Sequence, residues 1–126
     1  MATTTQRTDV RETHSLIASD KVEGTPVYRS SGEQVGTIQR VMIDKLSGKV
    51  GYAVMSFGGF LGIGEDYYPL PWSVLKYNER LGGYEVNLTE QQLKGAPKFG
   101  QYESWDWNDG SRTRQLNTYY AMPGVV

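Results

Sequence analysis

Between Thr25 and Leu88, short apolar runs rich in Val, Ile, Tyr and Phe alternate with clusters of Gly, Asn and Ser. The runs recur every ~8–12 residues, a spacing that points to an all-β barrel or sandwich. Strands are predicted at Pro26–Arg29, Gln34–Asp44, Val50–Phe57, Asp66–Pro71 and Tyr84–Leu88. Tyr84, Val86 and Leu88 alternate with Glu85 and Asn87, giving one buried and one wet face, the antiparallel pattern. Val50–Phe57 is apolar on both faces and is expected to be the most central strand. Pro69 and Pro71 lack the N–H of an interior ladder, which sends Tyr67–Trp72 to an edge or an exit from the sheet. Ser31-Gly32 and Ser47-Gly48 each place a Gly where positive φ closes a hairpin. Thr89-Glu90-Gln91-Gln92-Leu93 reads as one helical turn capped by Thr89 and ended by Gly95 and Pro97. No long helix is expected.

The pattern divides the 126 residues into three parts. Residues 1–15 are polar, without apolar periodicity, and read as a flexible arm. Residues 16–99 carry the barrel pattern. Residues 100–126 hold Tyr102, Trp105, Trp107, Tyr119 and Tyr120 among polar residues, too aromatic for a solvated linker and not periodic enough for a helix. This extended tail is expected to dock, on its own barrel or across an interface. The residues Trp105, Trp107, Tyr119 and Tyr120 form the candidate interaction surface, because Trp, Tyr and Arg are enriched at protein interfaces.

The barrel residues bear a resemblance that covers most of the chain, from Ile17 to Phe99. Ala18-Ser19-Asp20 precedes Val22-Glu23-Gly24; Pro26-Val27-Tyr28 is followed by Gly32 and by Val35-Gly36; Val41-Met42-Ile43-Asp44 leads into Gly48-Lys49-Val50. Tyr52-Ala53-Val54, Phe57-Gly58-Gly59, Leu61-Gly62-Ile63-Gly64 and Pro69-Leu70-Pro71-Trp72 continue the series, which closes on Leu93-Lys94-Gly95-Ala96-Pro97. In this order they resemble the PRC-barrel, the domain at the cytoplasmic end of the photosynthetic reaction-centre H subunit, found also in a ribosome-maturation factor and in small free-standing bacterial proteins. The resemblance implies a mostly β, small antiparallel PRC-type barrel that pairs as a homodimer, with no family catalytic residues to carry over.

Composition narrows the chemistry. A formal net charge of −1 provides no global field for nucleic acid or anionic lipid, so no nucleic-acid partner is expected. No apolar run is long enough to span a bilayer. Zero Cys excludes disulfides and thiolate sites and fits a reducing compartment, and the N-terminus has no signal-peptide pattern, so a cytoplasmic location is expected. The Asn87-Leu88-Thr89 sequon is then a chance match.

Gly58, Gly59, Gly62 and Gly64 make the most conspicuous local run, but Glu65-Asp66 follows where a phosphate loop needs Lys and Ser or Thr before a helix. A turned β connection is expected there, with no nucleotide and no cofactor. Glu65 and Asp66, considered with Asp44 as a carboxylate pair or hard-metal set, point to opposite faces as strand neighbours, so turn-capping or solvated roles are expected and no metal site. His14, the one His, lies in the polar arm, away from any triad. Trp72 is expected to anchor the barrel. The predicted function is a non-catalytic, self-associating protein-interaction module with an unidentified protein partner. The alternatives are an RNA- or ribosome-associated factor, which needs a basic face, and a small-ligand binder, which needs a pocket.

Overall fold

The computed structural model describes residues 16–57, 66–100 and 102–121. The elements run α1 (Ser19–Val22), β1 (Pro26–Arg29), β2 (Gln34–Ile43), β3 (Val50–Phe57), β4 (Asp66–Pro71), a 3-10 turn (Trp72–Val74), β5 (Lys76–Asn78), β6 (Gly83–Val86), α2 (Glu90–Lys94), β7 (Phe99–Gly100) and α3 (Gly110–Ala121). The fold is mostly β. Turn chemistry explains the first two hairpins: Gly32 and Gly48 take φ of 94° and 76°, and the Asp44 carboxylate holds the second turn by accepting from the Leu46 and Ser47 amides at 2.8 and 3.0 Å. Thr89 caps α2 through a full capping box with Gln92.

All seven strands belong to one sheet, in the order β5-β6-β1-β2-β3-β4-β7. Two features differ from the expected antiparallel barrel. The β1–β6 ladder is parallel, and no ladder joins β5 to β7 among the described residues. A parallel pairing needs a long crossover, supplied here by everything between β1 and β6. β3 is buried through Ala53, Val54, Met55 and Ser56, as its two-faced pattern requires, although β2 sits at the middle of the strand order. β4 pairs with β3 along its whole length, but β7 reaches only Asp66 and Tyr67. The proline half of β4 therefore has no strand on its outer side and exits into the 3-10 turn.

The C-terminal segment differs most from expectation: residues 110–121 form a helix of 12 residues where no long helix was expected. Asp109 starts it, its carboxylate accepting from the Ser111 and Arg112 amides at 3.0 and 3.3 Å. Leu116 and Tyr120, one turn apart, are buried on one side. Both, with Trp105, belong to the same hydrophobic cluster as Val27, Ile38, Met55 and Leu70.

Candidate functional site

Sheet alternation gives β3 two working faces. Ala53 and Met55 stand opposite Leu70 and Tyr68 and are fully buried in the core. Tyr52, Val54 and Ser56 face the other way, and there the C-terminal segment crosses the sheet. Its rings form a continuous chain: Tyr67–Phe99 at 5.5 Å, Phe99–Trp105 at 6.3 Å, Trp105–Trp107 at 6.2 Å and Trp107–Tyr52 at 5.3 Å between centroids. Tyr52 and Asn117 also hydrogen-bond, the amide donating to the hydroxyl at 3.1 Å. A first groove of about 460 Å³ lies along this seam, with Met42, Val54, Tyr67 and Trp107 among its apolar walls and Arg40 and Glu103 among its polar ones.

The four aromatic residues singled out from sequence thus separate into two pairs. Trp105 and Tyr120 are core, 6% and 2% exposed, and burial pushes the Tyr120 phenol well above its ordinary pKa, with Tyr119 and Tyr68 adding to the effect. Trp107 and Tyr119 are half-buried and line two different grooves. The second groove, about 720 Å³ and more open, runs between α3 and the segment after α2, with Lys98, Arg112 and Arg114 in its lining. Sequence reasoning named none of these cations, and it gave Met42 only as part of the family series, not as a candidate contact. The usable signal was Asp109 as a helix cap, which would have put Arg112 and Arg114 on a helix beside the aromatic segment.

The remaining candidates do not converge. Gly58, Gly59, Gly62, Gly64, Glu65 and His14 lie outside the described residues. Asp44 is a turn carboxylate, held below the usual carboxylate range by the Ser47 and then the Leu46 amide. Asp66 sits 3.8 Å from the Lys98 ammonium. The β2–β3 register ends at Ile43–Val50 while Asp66 pairs with Phe57, so β3 separates the two carboxylates by roughly 20 Å at ~3.3 Å per residue. Trp72 packs edge-on against Tyr84 at 5.2 Å, a packing contact. Among the described residues no three His, Asp or Glu side chains gather as a metal site, and no helix is long and apolar enough to cross a membrane.

A small β module whose concave surfaces lie on the outside of its sheet, at the seam with its C-terminal segment, is what the geometry defines. The sequence model of the PRC-barrel domain matches residues 14–93, and the chain belongs to the PRC-barrel domain family. Among curated proteins, none matches it.

Proposed function

We propose that this chain is a non-catalytic protein-interaction module that self-associates, with the first groove as the contact between copies. One observation carries the reading: the outer face of β2–β4 offers Met42, Tyr67 and Trp107, large side chains held half-buried beside Arg40. Aromatic residues, Met and Arg are the types that dominate protein interfaces, while the core of the sheet is filled by its own side chains. The separation of Asp44 from Asp66 supports the non-catalytic part. A cytoplasmic location belongs to the same proposal, and the cysteine-free sequence suits a reducing compartment.

Light scattering across a concentration series tests it. Wild type is expected at the dimer mass, and Met42→Glu, which places a charge in the groove, at the monomer mass with unchanged far-UV circular dichroism. A wild-type monomer at every concentration, or a Met42→Glu dimer as tight as wild type, refutes self-association through this face.

A further inference from the structure

The second groove has a charge pattern that the whole-molecule balance conceals. Among the described residues its lining holds Lys98, Arg112 and Arg114 and no carboxylate, in a chain of net charge −1. Lys98 stands near Asp66, so its charge is partly answered. Neither Arg112 nor Arg114 has a carboxylate partner among the described residues. The nearest acid in sequence, Asp109, is turned to the amides that begin α3. Among the described residues, two guanidinium groups are therefore without an acid and open to an external anion.

The geometry also prepares them. The Arg112 guanidinium carbon lies over the Trp105 ring, 4.2 Å from its centre, a cation–π contact that restrains where the fork sits. A guanidinium presents its N–H groups as a fork that matches a planar, two-oxygen acceptor, which is the shape of a carboxylate. The groove walls are tied as well: the Tyr119 hydroxyl donates to the Gln92 carbonyl at 2.5 Å, joining α3 to α2. Ser111, Gln115 and Thr118 line the same wall and add neutral donors and acceptors for a peptide backbone. Preorganised walls and side chains reduce the ordering entropy lost on binding.

The same contacts argue against a nucleic-acid strand. Single strands are gripped by stacking bases on open aromatic faces, but Trp105 is 6% exposed with Arg112 across its ring, and Tyr119 is packed edge-on against Tyr120 at 5.3 Å. The groove offers charge and hydrogen bonds without a stacking platform.

We propose that the groove between α3 and the segment following α2 docks an acidic peptide stretch of a partner protein, with Arg112 and Arg114 binding its carboxylates. The proposal rests on the interaction-module reading and names the partner chemistry. The test is calorimetric titration of the full chain with unlabelled octa-glutamate, with octa-lysine and octauridylate as the comparison arms. Octa-glutamate should bind, lose affinity steeply as salt rises, weaken at least ~10-fold with Arg114→Glu, and weaken several-fold with Arg112→Lys, which keeps the charge but loses the fork. No heat with octa-glutamate, equal binding to both variants, or tighter binding of octauridylate overturns it, the last assigning the groove to RNA. Light scattering on the same samples separates the two proposals. A dimer that ignores octa-glutamate sinks only this groove, and a monomer that binds it sinks only self-association.

Discussion

Leu116→Ala tests whether the C-terminal helix is part of the folding unit or an appendage to it. Leu116 has no exposed surface and shares one cluster with Met55, Leu70 and Leu93. Truncating such a leucine removes transfer energy and leaves a cavity, at a cost of about 2–5 kcal/mol. Against a total stability of about 5–15 kcal/mol that is a large fraction. For a chain of this length each kcal/mol lowers Tm by about 3–5 °C, so a fall of roughly 6–25 °C is expected. Urea unfolding should be followed by far-UV circular dichroism, which weighs the sheet, and by tryptophan emission, which weighs Trp105 and Trp107 as well as Trp72. The two curves should remain coincident in wild type and variant. Tyr120→Phe is the companion. Its hydroxyl is buried without a hydrogen-bond partner among the described residues, so removing it should leave stability unchanged or raise it by about 1 kcal/mol. A Leu116→Ala protein melting within about 1 °C of wild type, or curves that separate with the tryptophan signal lost first, would refute the single-core reasoning.

Two further outcomes probe the sheet. An added Cβ at Gly36 would collide with the Ser56 carbonyl and the Met55 side chain, and the carbonyl cannot yield without parting β2 from β3; Gly36→Ala should cost about 1–3 kcal/mol, read as a lower urea midpoint at unchanged slope, while Gly51→Ala, with its nearest neighbour at 3.9 Å, should be close to neutral. Asp44→Ala should destabilise the protein at neutral pH. Because the folded pKa of Asp44 is lowered, its contribution is present above the ordinary carboxylate pKa and lost as pH falls through the folded value. The gap between wild type and variant should therefore close on acidification, and a gap independent of pH would contradict the turn-capping role.

The parts of the fold that were legible in sequence are those whose signals are local. Pro26–Arg29, Val50–Phe57 and Asp66–Pro71 form strands with the bounds their apolar runs predict, because period-two alternation and Gly-containing turns act over a few residues. Thr89 and Gln92 announce α2 in the same local way. The parallel pairing of β1 with β6 was not legible: neither strand's pattern encodes its distant partner, and Tyr84–Val86–Leu88 alternates identically beside an antiparallel or a parallel neighbour. β5, only Lys76–Asn78, is too short for a periodic signal and exists because β6 offers it a ladder. α3 escaped because its twelve residues carry few apolar side chains, so tertiary burial of Leu116 and Tyr120 outweighs a weak helical pattern.

The grooves follow from that last point. Read as a tail, Trp105, Trp107, Tyr119 and Tyr120 were one aromatic set; wound into a helix and a crossing segment, they divide into a buried Tyr120, a buried Trp105 that borders both grooves, and the half-buried walls Trp107 and Tyr119. The helix places Arg112 over Trp105, seven positions earlier in the chain, and Asp109 is what starts the helix in time to do so. A lone Arg in a polar tail is a solvated charge, whereas an Arg held over a buried indole, beside a second Arg with no ion pair among the described residues, is a prepared anion contact. The difference lies entirely in the winding of residues 110–121. The candidate site was therefore hidden by the same weak helical signal that hid the element carrying it, and the strength of Leu116 packing sets how firmly that site is held.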